Sequence, residues 1–179
     1  MRGYKTEGII LKRLNFGETD RLLTIFTKHD GKIKAIAKGV RRLKSRKAGS
    51  LELFNHLRLA MASARNLDII SEVELIHSFR RIRKNLKLIV QAFQLAEALD
   101  KLTPEGEPNQ WLFALLLASL TGLDRGQEGI VLEFEIQLLR GLGFGLPQKL
   151  DSQSIKRYIE TISEKKLMSK GMFPDPRSD

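Results

Sequence analysis

The spacing of apolar residues changes its period once, near Ser78, and that change restricts the chain to a strand-rich part followed by a helical part. Up to His77 the runs are short and read as strands. Glu7 to Arg13 carries Ile9, Ile10 and Leu11, and Leu22 to Lys28 reads LLTIFTK. The turn His29-Asp30-Gly31 then hands over to KIKAIAK, a hairpin signal in which glycine supplies the positive φ. Two longer strands are expected over Phe54–Ala62 and Leu67–Leu75, with Leu57, Leu59 and Met61 alternating on the first and Leu67, Ile69, Val73 and Leu75 on the second. Five short antiparallel strands in about 75 residues imply a small closed barrel; an OB-fold and an SH3-like barrel are the two candidates.

Beyond Ser78 the period is that of a helix. Ile82, Leu86, Ile89, Phe93 and Ala96 mark one face of a helix that ends near Leu102, where Thr103-Pro104-Glu105-Gly106 breaks it. Pro108 opens a second helix through the apolar stretch Trp111–Leu120, with Trp111 expected in the core and Gly122 near the C-cap. A third helix runs from Gln127 to Leu142 and a fourth from Ser152 to Leu167, capped by Asp151 or Ser152. The expected organisation is α+β: a five-stranded antiparallel barrel over residues 1–78, an all-helical domain over 79–170, and a frayed tail, GMFPDPRSD, over 171–179. The apolar stretch reaches about half of the ~20 residues that cross a bilayer. The N-terminus has neither a long apolar run nor a small-residue cleavage site, so a cytoplasmic protein is expected.

The net charge of +10 lies in the first 50 residues, which hold 14 Lys/Arg against 4 Asp/Glu; the remainder is balanced. Such asymmetry implies a polyanionic partner for that part of the molecule. Other classes fare worse. With no cysteine there is no disulfide, thiolate nucleophile or thiolate metal site, and His29, His56 and His77 are too scattered for an imidazole site, so no metal and no cofactor are expected. GLGFG at 141–145 follows a helix and lacks the nucleotide-loop context, which makes it a helix stop. Glu128, Glu133 and Glu135 are expected on the solvated face of the third helix, and Asp20 as an ion pair or turn cap; no enzyme is expected.

The cations form a pattern that suits phosphate contact. Lys32, Lys34 and Lys38 alternate on one strand face and run into Arg41, Arg42, Lys44, Arg46 and Lys47 within the glycine-bounded segment 39–50, with no acid between Lys32 and Lys47. A row of ammonium and guanidinium groups at that spacing can track a nucleic-acid backbone and release its counterions. Arg80, Arg83, Lys84 and Lys87 recur at three and four residues and would form a second basic stripe. Aromatics are not interleaved with these charges. Tyr4 and Phe16 are the candidates for base stacking, Phe26 and Phe54 belong to the core, and backbone contacts should dominate over sequence readout. An RNA-binding barrel and a protein-interaction adaptor are the competing readings.

The series TEGIILKRLNFGETDRLLTIFT, GKIKAIAKGVRRLKSRKAGSLELF and NLDIISEVELIHSF resembles the OB domain of the bacterial RecO family; LRGLGFGLP at 139–147 is similar to that family's C-terminal domain. The resemblance implies a non-enzymatic, nucleoid-associated DNA repair protein. It would bind single- and double-stranded DNA, anneal complementary strands, and act with RecR and single-strand binding protein (SSB) to load RecA. It maps the family's basic surface onto Lys34, Lys38, Arg41, Arg42, Lys44 and Arg46, and assigns docking of the SSB C-terminal tail to the helical domain. Many members carry a four-cysteine zinc site after the position of LGFGLP. Here the chain passes directly into KLDSQSIKRYIETISEKKLMSK, whose Lys165, Leu167 and Ser169 resemble the family's last helix, as in a compact, metal-free variant.

Overall fold

The alternating runs of the first part become five strands that close on themselves. A computed structural model of the chain describes residues 3–164. In it β1 (Gly3–Phe16), β2 (Asp20–Thr27), β3 (Gly31–Ala37), β4 (His56–Ala62) and β5 (Asp68–His77) form a closed barrel in the order β1-β2-β3-β5-β4. β1 reaches both neighbours because it is 14 residues long. Its first half pairs with β4, from Gly3↔Ala62 to Ile9↔His56, and its second half pairs with β2, with a bulge between Ile10 and Lys12 that lets it bend. Four junctions are antiparallel as expected. The fifth, β3 to β5, is parallel and holds two pairs, Ala35↔Asp68 and Ile36↔Ile69. A closed ring with an odd number of strands cannot alternate direction at every junction, so closure itself imposes one parallel contact.

Side chains from all five strands fill the interior: Ile10, Leu23, Ile25, Ala35, Ala37, Leu57, Leu59, Met61 and Ile70, joined by Val40 and Leu51 from the two ends of the long loop. Each fully buried large aliphatic contributes about 1.5–3 kcal/mol. Phe26 and Phe54 are buried as expected. β5 departs from the expected alternation, because a bulge opposite Ala60 and Met61 inserts Ser71 and shifts the parity. Ile70 therefore enters the core in place of Ile69, while Val73 keeps its expected packing against the core. Leu75, expected on the same face as Val73, is 42% exposed.

Contacts divide the chain into two units. The first comprises residues 1–79 together with 103–117; the second comprises 80–102 and 118–179. Residues 103–117, which follow the period change at Ser78, thus belong with the barrel and not with the helical part. What ties 103–117 to the barrel is specific. Lys32 Nζ donates to the Thr103 carbonyl at 2.6 Å, and Gly106 N donates to the Lys32 carbonyl at 2.9 Å. Gly31, at φ 69°, lies so close to Glu107 that a Cβ would sit 2.4 Å from its carbonyl; only glycine meets both conditions.

In the second unit the expected first helix is two, α1 (Arg80–Lys84) and α2 (Leu86–Leu102). The break falls at Asn85, whose side chain accepts from Leu88 N at 3.2 Å and caps α2. The apolar face turns with it. Leu88, Ala92, Leu95, Ala96 and Leu99 are buried, while Leu86 is 62% exposed. α3 (Gln110–Arg125) is capped by Asn109, not opened by Pro108, and continues past Gly122. Its first half belongs to the barrel unit, where Leu112, Phe113 and Leu116 are buried and Trp111, expected in the core, is 49% exposed. α4 (Ile130–Gly141) contributes Phe134, Leu138 and Leu139, and α5 (Ser152–Ser163) contributes Ile155 and Ile159. Asp151 caps α5 as expected, accepting from Ser154 N at 2.8 Å. The expected continuation to Leu167, the residues Lys165 and Ser169, and the tail 171–179 lie outside the described residues.

Candidate nucleic-acid interface

The basic loop between β3 and β4 is anchored where it leaves the barrel. Asp20, at the start of β2, accepts a hydrogen bond from Gly39 N at 2.8 Å and another from the Thr19 hydroxyl at 2.9 Å. The first of these, then the second, hold its carboxyl below the usual carboxylate range, so it stays ionised as a brace. That is the turn-cap role expected of it. Gly39 takes φ 65°, Arg41 N donates to the Thr19 carbonyl at 2.9 Å, and the Arg41 guanidinium donates to the Gly17 carbonyl at 3.1 Å. Val40 and Leu51, each at most 1% exposed, fix both ends in the core. The loop and the β1–β2 hairpin are thus joined at one place on the barrel.

On this base Lys38, Arg41, Arg42, Lys44 and Arg46 are exposed. Lys44 and Arg46 make no ion pair with a described residue. Three of the expected phosphate contacts are committed elsewhere. Lys32 is 6% exposed and turned to the Thr103 carbonyl, so it leaves the exposed face that strict alternation assigns it. Lys34 is exposed but paired with Glu105 at 2.5 Å. Lys47 is half-buried and donates to the Ile70 and Ser71 carbonyls at 3.2 and 2.5 Å, tying the loop to β5. The acid that neutralises Lys34 comes from 71 residues downstream, outside the acid-free interval that the sequence shows.

Of the two stacking candidates, Phe16 is 47% exposed beside the hairpin turn, whereas Tyr4 packs against the barrel core. The Tyr4 hydroxyl donates to Asp68 Oδ2 at 2.5 Å, and burial followed by that carboxylate pushes its ionisation well above the usual range. Tyr4 is a structural residue, not an open stacking surface. Arg13 and Arg21 both reach Glu52, the latter at 3.7 Å, so one carboxylate is shared by two guanidinium groups.

Arg80, Arg83, Lys84 and Lys87 are all exposed on the second unit, but they do not form one stripe, because the break at Asn85 puts Lys87 on a different helix. Glu135 departs furthest from expectation. It is 1% exposed rather than on a solvated face, neither carboxyl oxygen has a hydrogen-bond partner, and desolvation pushes it up to about 7 against an opposing pull from Lys156. Its place one turn before Leu138 and Leu139 was the available signal. Leu43, fully exposed among the loop cations, also went unread.

A five-stranded OB-type barrel bearing a braced cationic loop, followed by helices, defines the oligonucleotide-binding class of small barrels. Residues 1–79 match the family model for the N-terminal part of recombination protein O, and residues 83–162 match that for its C-terminal part. The chain belongs to the RecO family of DNA repair proteins. It is 37% identical over 144 residues to the DNA repair protein RecO of Symbiobacterium thermophilum, covering 79% of this chain and 57% of that one. It is 39% identical to that of Pelotomaculum thermopropionicum, at 80% and 57% coverage, and 35% identical over 158 residues to that of Myxococcus xanthus, at 87% and 64%. The chain thus spans a little over half the length of the first two relatives. The four-cysteine zinc site implied by the family resemblance has no donors here, since the sequence contains no cysteine. Among the described residues no group of His, Asp or Glu could hold a metal ion, and no helix is long and apolar enough to cross a membrane.

Proposed function

We propose that the protein is a non-enzymatic mediator of DNA repair and recombination that binds single- and double-stranded DNA through the braced loop and anneals complementary strands. The carrying observation is the set Lys38, Arg41, Arg42, Lys44 and Arg46, held to solvent by a loop whose base is pinned to Asp20, Thr19 and Gly17. Two DNA strands repel through their phosphates. Cations that neutralise both let complementary bases meet, a task that requires no acid, base or nucleophile. Lys34 can join if phosphate displaces Glu105, and Arg80, Arg83, Lys84 and Lys87 supply further phosphate contacts from the helical unit. The cellular role that fits is work in the cytoplasm, at the nucleoid, with RecR, the SSB C-terminal tail and RecA. This part of the reading rests on family membership.

The test is fluorescence anisotropy of labelled single-stranded DNA, duplex DNA and matched RNA at several salt concentrations. Five phosphate contacts give a log-log salt slope of about −3 to −4 on single strands. Arg41→Ala with Arg42→Ala should weaken DNA binding by about tenfold at low salt and flatten the slope by about 1.4. Unchanged affinity would remove the loop from the mechanism. A strong preference for RNA would move the reading to 2′-hydroxyl recognition.

A further inference from the structure

We propose that Leu43 is a base wedge, inserting between adjacent bases of the strand whose phosphates the neighbouring cations hold. The inference rests on the DNA-binding reading above and deepens it by naming how bases are prepared for pairing. Leu43 is 107% exposed, the most exposed of the large apolar side chains among the described residues. A single exposed leucine is ordinary on a protein surface, but this one has an unusual setting. It is the second residue of a turn closed by Ser45 N donating to the Arg42 carbonyl at 2.9 Å, so the backbone holds it at the apex. Turn apices favour proline and small polar residues, which give up nothing by facing water. Arg41 and Arg42 precede Leu43 and Lys44 follows it, all three exposed.

The anchoring limits how far this apex can withdraw. Val40 and Leu51 are locked in the core, and Lys47 is tied to β5. The core residues nearest in sequence to the apex are thus those already engaged at the loop ends. The guanidinium of Arg41 meets the Gly17 carbonyl, which joins the loop to the hairpin bearing the exposed Phe16. One barrel surface therefore combines a cation collar, an apolar apex and an aromatic ring. Cations flanking an apolar point suit a polyanion whose interior is apolar and stacked. Proteins that bend or open DNA drive leucine, isoleucine or phenylalanine between base steps in this way. In single strands the same insertion separates stacked neighbours and leaves their pairing edges open to a second strand, and Phe16 is placed to stack on a displaced base.

The experiment uses the full chain and a single-stranded oligonucleotide carrying 2-aminopurine, whose emission rises on unstacking, beside anisotropy on the same strand with an end label. The wild type should raise 2-aminopurine emission severalfold at saturation. Leu43→Ala should remove at least half of that rise while changing the anisotropy Kd by less than about threefold and leaving the salt slope intact, because no phosphate contact is lost. Leu43→Met should restore the rise, and Arg41→Ala with Arg42→Ala should lose affinity and emission together. A wild-type rise that survives Leu43→Ala, or binding with no rise at all, overturns the wedge and leaves the cationic loop standing. No binding by the wild type at low salt overturns both. A Leu43→Ala variant that keeps the full DNA signals but loses capture of a protein partner would reassign the leucine to a protein interface.

Discussion

Among the described residues, Lys32 in the barrel unit and Glu135 in the helical unit are the buried Lys, Arg, Asp or Glu side chains, and the two are treated oppositely. In the barrel unit Lys32 gives its ammonium to the Thr103 carbonyl at 2.6 Å. The bond replaces part of the water lost on burial and ties residues 103–117 to the barrel. In the helical unit Glu135, on α4, is 1% exposed with neither oxygen bonded. It can rest there cheaply only by keeping its proton. A buried charge with a partner is a fastening, while one without a partner is a standing cost whose size depends on pH.

The largest expected effect tests the second half of that contrast. The Glu135 carboxyl, ordinarily near 4.5, is raised to about 7 by burial. The folded state thus keeps a proton that the unfolded chain releases, and stability falls as pH rises from about 4.5 to about 7, with the full cost present above 7. Glu135→Gln should recover about 3 kcal/mol at pH 8 and almost nothing at pH 4, read from urea midpoints by far-ultraviolet circular dichroism. A wild type whose midpoint ignores pH across that window would break the comparison.

Lys32→Met comes next. It keeps the aliphatic stem but removes the charged hydrogen bond to the Thr103 carbonyl, and should destabilise the barrel unit by about 2 kcal/mol. Trp111, the sole tryptophan, lies in the segment that this bond fastens, so its fluorescence should report the loss directly. If Lys32→Met is neutral, the ammonium is replaceable and the fastening lies in Gly31 and the backbone alone. The smallest effect concerns the exposed pair of Lys34 and Glu105. Breaking it with Glu105→Gln should change stability by less than about 1 kcal/mol. It should also tighten DNA binding up to about twofold at low salt by removing one negative charge beside Lys34. Weaker binding would show that Glu105 positions Lys34 for phosphate.

The strands and most of the barrel core were legible, because alternation over β3 and β4 leaves one way to bury Ala35, Ala37, Leu57, Leu59 and Met61. The slip in β5 was not. A bulge is a property of two paired strands, and nothing in SEVEL announces that Ser71 will be the extra residue. The helix break at Asn85 escaped because asparagine interrupts a periodic run without ending it, serving as cap only once both helices pack. At the candidate site the loop cations were readable locally, but the partner of Asp20 in Gly39 and the fates of Lys32, Lys34 and Lys47 were not. The partners of the three lysines are the Thr103 carbonyl, Glu105, and the backbone of β5.

What the amino-acid order determined by itself is everything that depends on near neighbours: the period change at Ser78, the hairpin at Gly31, the cap at Asp151, and a concentration of positive charge in one exposed loop. What only the tertiary structure decided is which of those charges remain available. Burial and ion pairing depend on the three-dimensional surroundings of each charge, and these join residues 71 apart. Closure, too, was a matter of the assembled sheet, since five strands in a ring require a parallel junction that no single strand encodes.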